Sequence, residues 1–197
     1  MFMQSGMRRG EILALRWQDV DFARGVVNVR RTVGVIGSRL TVGEPKTKSS
    51  RREVPIPAGV MAALEAHYER YQEIEGGHFD GWQDHDLVFS SETGNYINPS
   101  NLRRDFLRWV KESGVPQIAI HDLRHTFATH ALENGAELID VSKHLGHARP
   151  SITSDIYAHK LYKDHSRVAD KVGALFESGP EDVVRNVVRF PRRKRAL

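Results

Sequence analysis

Prolines and glycines punctuate most of this sequence at intervals that leave room for helices and little else. Pro57, Gly76-Gly77, Asn98-Pro99, Gly114, Asn134-Gly135, Gly146 and Gly179-Pro180 mark the cuts. Proline suits the first turn of a helix and glycine the position just past its end, so these residues read as starts and stops. The first helix runs from 57 to about 75, with Met61, Leu64, Tyr68 and Tyr71 on its apolar face. Asn98 caps a second, which Leu102, Phe106 and either Trp109 or Val110 anchor inward. A third contains His121 and Arg124, and a fourth spans about 137 to 145. Val168, Val172 and Phe176 suggest one more.

The first 56 residues read differently. A helix is expected over 5–17, followed by strands at 26–29, 40–42 and 53–56. The polar, basic stretch from Lys46 to Arg52 reads as a hairpin loop joining the last two strands. The expected fold class is therefore α+β, mainly helical, with a small antiparallel sheet near the N-terminus. One domain covers 1–178, and a basic tail containing Arg192 to Arg195 covers 179–197.

Composition narrows the chemistry. With 197 residues, 40% hydrophobic and 27% charged, the chain can bury a real core. The absence of cysteine excludes disulfides, thiolate catalysis and Cys-based zinc sites. No apolar run spans a bilayer, and Arg8 and Arg9 follow Met1 too closely for a secretory leader. A cytoplasmic protein is expected. Its net charge of +4 suits a nucleic-acid partner without requiring one.

Within the third helix, His121-Asp122-Leu123-Arg124-His125 places His121, Arg124 and His125 on one face, because residues three and four apart are neighbours. Ala128 continues that face and would leave room for a ligand. Leu123, Phe127 and Ala131 gather on another side, as a core anchor. The His121/His125 pair has the spacing of a zinc-binding helix, but Arg124 on the same face repels a dication. Asp122 and Asp140 do not supply the converging carboxylates of a two-metal nuclease.

Singly, the other candidates have ordinary readings. Arg8 can be a solvated arginine paired with Glu11 or Glu44, and Lys46 and Lys48 can be solvated loop lysines. Tyr157 alone reads as a core or surface tyrosine, since a free phenol is only about 0.1% ionised at neutral pH. Together, two arginines, lysines, two histidines and a tyrosine form the inventory of metal-free phosphoryl transfer. Such donors favour the phenolate and stabilise the extra charge on a five-coordinate phosphate. The pattern points to a DNA phosphate attacked by Tyr157.

Four motifs carry a resemblance. They are Ser5-Gly6-Met7-Arg8-Arg9-Gly10-Glu11-Ile12-Leu13-Ala14-Leu15-Arg16-Trp17, Pro45-Lys46-Thr47-Lys48 through Arg52-Glu53-Val54-Pro55, His121-Asp122-Leu123-Arg124-His125 with Leu145-Gly146-His147, and Asp155-Ile156-Tyr157. In this order they resemble the catalytic domain of the tyrosine recombinase (phage integrase) family. The resemblance implies that Arg8 and Arg124 clamp the scissile phosphate and that Tyr157 forms a 3′-phosphotyrosyl bond. Lys46, with Lys48 as the alternative, would protonate the leaving oxygen. His121 would assist proton transfer, His147 would hydrogen-bond the phosphate, Glu11 would orient the cluster, and His125 would lie behind it. No metal or ATP is implied.

The implied partners are double-stranded recombination sites, further copies in a homotetramer on DNA, and accessory DNA-bending or directionality proteins. The implied source is bacterial, phage or mobile-element DNA, with the protein on the nucleoid when bound. A type IB topoisomerase-like activity or an inactive DNA-binding remnant are the alternatives. The C-terminal helix could dock on a neighbouring subunit or on its own domain. Family members carry further sequence upstream of the first arginine motif, so exposed apolar surface is expected at Met3, Met7 and Ile12.

Overall fold

Val27 and Val54 face each other across two antiparallel strands, both with no solvent exposure, and the core grows from this pair. The computed structural model describes residues 1–45, 47–75, 82–151, 153 and 154. All lie in the first of two units into which the chain divides, Met1–Ile156 and Tyr157–Leu197. Lys46, Gly76-Gly77, Tyr157, the helix expected around Val168 to Phe176 and the basic tail fall outside the described residues.

In chain order the elements are α1 (Phe2–Ser5), α2 (Arg9–Leu13), β1 (Val20–Asp21), β2 (Val26–Val29), β3 (Thr32–Ile36), β4 (Arg39–Gly43), β5 (Arg52–Pro55), α3 (Ala58–Glu75), α4 (Pro99–Glu112), α5 (Ile120–Glu133) and α6 (Leu138–Leu145). Strands β1, β2 and β5 form one antiparallel sheet in that order, and β3 and β4 form a separate hairpin. Met7, Ile12 and Leu15 pack with Val60, Met61 and Leu64 of α3 around the Val27–Val54 pair. Trp17 closes this core, its ring centroid 4.8 Å from Tyr68 and 5.6 Å from Tyr71. Leu87 and Val88 join it by backbone pairing: Val88 N–H donates to the Leu15 carbonyl at 2.9 Å and Trp17 N–H to the Asp86 carbonyl at 2.8 Å.

The expected helix starts and stops largely hold. Asn98 Oδ1 accepts from Ser100 N–H at 2.8 Å and so caps α4. Inside that helix Val110 is the buried residue, whereas Trp109 is 52% exposed. Gly146 ends α6 in the left-handed region at φ 68°. Among the described residues no helix is long and apolar enough to cross a membrane.

Three expectations are corrected. The helix over 5–17 is two short helices and a 3-10 turn, broken at Gly6, which takes φ 61°. The break folds α1 back against α5, so closely that a Cβ on Gly6 would lie 2.6 Å from the Phe127 ring. Second, β4 and β5 are not partners. Gly37, at φ 61°, lets a two-residue turn fold β4 onto β3, with Ile36 opposite Arg39. β5 is thereby left to pair with β2. Third, Met3 is exposed as expected, but Met7 and Ile12 are each 1% exposed, because the sheet and α3 enclose them.

Gly6 and Gly25 separate two costs of glycine replacement. Both have positive φ, but a Cβ on Gly25 meets nothing within 4 Å. Gly25→Ala should cost about 1 kcal/mol, the left-handed penalty alone. Gly6→Ala should cost about 2–4 kcal/mol, since overpacking adds to that penalty. Urea denaturation of the two variants tests this; equal losses would contradict the packing assigned to Gly6.

Candidate active site

The C-terminal turn of α6 organises this region. A helix ends with carbonyls that have no partner within it, and here three consecutive carbonyls are taken by three arginines. Arg52 Nε donates to the His144 carbonyl at 2.5 Å, Arg124 Nη2 to Leu145 at 2.7 Å and Arg8 Nη2 to Gly146 at 3.1 Å. Positive charge at a helix C-terminus also meets the negative end of the helix dipole.

Each guanidinium has a further hold. Arg124 is only 4% exposed and donates from Nη1 to the Gly6 carbonyl at 2.7 Å, so the α1–α2 break supplies an acceptor for it. Glu11 joins the other two. Its carboxylate accepts from Arg8 Nη1 at 2.9 Å, and from Arg52 Nη1 and Nη2 at 3.1 and 3.0 Å. It also accepts from Arg8 N–H at 2.8 Å, which caps α2. Burial pushes the Glu11 carboxyl up, but the bonds and charges of Arg52 and Arg8 outweigh it and hold the group below its ordinary value. Glu11 therefore stays ionised at 3% exposure.

The histidines sit in the field of these arginines. His147 Nδ1 lies 2.7 Å from the hydroxyl of Thr153, which is fully buried. Burial, then Arg124, Arg8, Arg52 and His125, lower its pKa to about 4, so the ring is neutral at pH 7. His121 is also lowered, by burial first and then by His125 and Arg124. Its ring stands edge-on to His125 at 4.7 Å. His144, stacked on Phe127 and 2.9 Å from the Ser5 carbonyl, is lowered mainly by burial.

Of the nine residues singled out from sequence, Arg8, Glu11, Arg124 and His147 gather around the α6 terminus, with His121 and His125 on the adjoining turn of α5. Lys46 and Tyr157 lie outside the described residues. The backbone of Lys48 begins the 3-10 turn Lys48–Ser50, and its side chain also lies outside them. Glu11 is the partner of Arg8, whereas Glu44 pairs with Arg51. The α5 face is corrected in one respect: Arg124 and Ala128 point into the protein, and Ala128 has no exposure, so it leaves no room for a ligand. The bond from Arg124 to Gly6 draws that face inward. Among the described residues no cluster of His, Asp or Glu could hold a metal ion.

Sequence reasoning missed Arg52 and Thr153. Arg52 falls in the basic loop and in the motif that runs to Pro55, but nothing in either gives it a role of its own. Its partner Glu11 is 41 positions away, a separation no local pattern reports.

The Phage integrase family profile matches residues 1–164 of the chain. The chain is 35% identical over 184 residues to the tyrosine recombinase XerC-like protein of Caldanaerobacter subterraneus subsp. tengcongensis, covering 87% of this chain and 47% of that protein. It is 29% identical over 185 residues to an integrase of Streptomyces ambofaciens, covering 89% and 47%. The chain thus spans about half the length of these curated relatives. The Tn1549 transposon integrase, solved in complex with transposon right end DNA, matches with a TM-score of 0.72 and 21% identity over 88% of this chain and 56% of that one. The XerA recombinase matches with a TM-score of 0.64 and 25% identity, over 88% and 53%. The fold is that of these catalytic regions.

Two measurements test the electrostatics. Glu11 has a depressed folded-state pKa, so its stabilisation is present above its ordinary value of 4.5 and is lost as pH falls through the folded value. Glu11→Ala should lose about 3–5 kcal/mol at pH 7, because it leaves arginines buried without their carboxylate. Its remaining stability should fall less than the wild type's as the pH drops below 4.5. Urea melts at neutral and acid pH check both. For His147, the stability tied to its neutral ring is complete above pH 6.5 and is lost as pH falls toward 4. An NMR titration should find its midpoint near pH 4; a midpoint above 6 would contradict the burial of the ring among these arginines.

Proposed function

The chain belongs to the phage integrase family, and on that premise we propose that it cuts and rejoins DNA strands at specific sites through a 3′-phosphotyrosyl intermediate on Tyr157. One observation carries this reading. Arg8 and Arg124, more than a hundred residues apart in sequence, are anchored to adjacent carbonyls, Gly146 and Leu145, beside a neutral His147. Two forks fixed from behind by protein oxygens form a preorganised anion clamp, which stabilises developing charge without rearranging during the reaction.

In the proposed step Tyr157 Oη attacks phosphorus and its proton passes to His121, which burial and its cationic neighbours keep in the neutral, accepting form. The bond from phosphorus to O5′ breaks, and the leaving oxygen takes a proton from Lys46, with Lys48 as the second candidate. Arg8 and Arg124 hold the charge on the non-bridging oxygens. With the Thr153 hydroxyl donating to Nδ1, His147 carries its proton on Nε2 and donates it to the same phosphate. A 5′-hydroxyl from a second strand then attacks the phosphotyrosine and releases Tyr157. The phosphodiester energy is conserved in the protein–DNA bond, so the cycle calls for neither ATP nor a metal.

Glu11 and Arg52 act as positioning residues for Arg8 and for the strand that follows the lysine loop, and His125 positions His121. The domain carrying this chemistry is residues 1–178, with 179–197 as a basic tail. The substrate is double-stranded DNA at a recombination site, where four copies assemble, with accessory proteins setting bend and direction. The work is done in the cytoplasm, on the nucleoid.

Incubation with a nicked duplex bearing the recombination site, followed by a denaturing gel, tests the reading. A covalent protein–DNA adduct should form in the presence of EDTA and vanish in Tyr157→Phe. Arg124→Ala should slow its formation by roughly 100- to 1,000-fold, the usual loss when one charge-stabilising donor is removed. An adduct that persists in Tyr157→Phe overturns the assignment of the nucleophile. Relaxation of plasmid without strand exchange would indicate a type IB topoisomerase-like reaction, and DNA binding without an adduct would leave only a binding role.

A further inference from the structure

A cleft of about 820 Å³ opens beside Arg8 and His121. Its walls come from α2, β3, α4 and the segment leading into α5, and two more arginines, Arg9 and Arg103, line it. Neither has a carboxylate within ion-pair distance among the described residues. The four arginines of the other large cleft differ: Arg30 and Arg31 pair with Asp19, Arg51 with Glu44 and Arg52 with Glu11. The first cleft therefore keeps a positive surplus that the second has neutralised internally.

Backbone contacts fix Arg9 and shape the cleft wall. Arg9 donates from Nη1 to the Pro99 carbonyl at 3.3 Å, which ties the start of α2 to the start of α4. Gly10 lets α2 approach β3 closely; a Cβ there would lie 2.4 Å from the Val33 carbonyl oxygen. Arg103, Phe106 and Leu107 share one face of α4, at the three- and four-residue spacing of neighbours. With Ile118 they give the cleft an apolar wall beside the two arginines. Among the described residues the one carboxylate lining it, Asp122, is occupied in accepting from Ala119 N–H at 2.7 Å.

We propose that this cleft is a second DNA subsite, in which Arg9 and Arg103 bind backbone phosphates flanking the one held by Arg8, while Phe106, Leu107 and Ile118 lie against the intervening sugars. The inference rests on the strand-cutting reading for its direction, since Arg8 is shared between the clamp and the cleft. Cationic contacts of this kind fix register on the duplex and carry no sequence information. They also release counterions, so each leaves a signature in the salt dependence of binding.

The test is the log–log salt slope for binding of the whole chain to a fluorescent duplex of about 30 base pairs and arbitrary sequence, over the roughly 50–200 mM range where such slopes are read. Arg9→Gln and Arg103→Gln should each flatten the slope by about one, and the double variant by about two. Arg9→Lys and Arg103→Lys keep the charge and should keep the slope, which separates loss of a phosphate contact from loss of the fold. Arg70→Gln, in a different cavity beside Phe89, should leave the slope unchanged.

Glutamine variants that bind with the wild-type slope overturn the subsite, and so do lysine variants that lose as much slope as glutamine. A change in the sedimentation of the free protein without a change in slope would assign the cleft to a protein partner and overturn it too. If the slopes fall as expected but no adduct forms on Tyr157, the strand-cutting reading fails and the subsite stands as a DNA site. If the wild type binds no duplex at all, both fail.

Discussion

Three arginines on the last carbonyls of α6 hold this part of the molecule together. Arg52, Arg124 and Arg8 arrive from a strand, a helix and a helix cap, and each takes a different carbonyl of residues 144 to 146. A hydrogen bond from a charged donor contributes about 1.5–3 kcal/mol, more than a neutral one. These three also tie β5, α5 and the α1–α2 turn to a single point. The arrangement needs a helix that stops abruptly with its carbonyls accessible. Gly146 provides the stop by turning left-handed at φ 68°. A Cβ at that glycine would lie 2.8 Å from Arg52 Nη1, so the position also needs glycine for want of space.

Burying guanidinium groups is costly unless their donors are met and their charge is offset. The carbonyls meet the donors, and Glu11 offsets charge for Arg8 and Arg52, which share it. Two arginines sharing one carboxylate carry a net positive charge. That surplus contributes to the lowering of His121, His144 and His147 together, although burial is the larger cause for each.

Much of this was legible in the sequence where the signal was local. Asn98 before Pro99, Asn134-Gly135 and Gly146 placed helix ends within a residue or two, because caps and stops act through neighbouring backbone groups. The constellation of Arg8, Arg124 and His147 was legible from its chemistry. What failed was set by distant partners. Apolar spacing over 5–17 reads as a continuous helix, but Gly6 turns left-handed where Phe127 leaves no space for a side chain, and it lends its carbonyl to Arg124. Strand pairing differs for two reasons: Gly37-Ser38 is a local turn that joins β3 to β4, while β5 finds its partner β2 some 26 residues upstream. Arg52 lies in a quoted motif, but its pairing with Glu11, 41 positions away, had no local signature.

The same surplus of charge divides the work among residue types. Arginine keeps its charge at any pH where the protein is folded, so the clamp does not depend on titration. Histidine next to such a clamp is neutral at pH 7 and can accept a proton, as a base must. Binding of a phosphate would reverse part of that field, because the anion partly cancels the arginines whose charge opposes protonation of His147 and His121. Their affinity for protons should then rise only once a phosphate is in place. On the proposed reading, a phosphodiester in the clamp would make His121 a better base, while His147 keeps its role as a donor to the same phosphate.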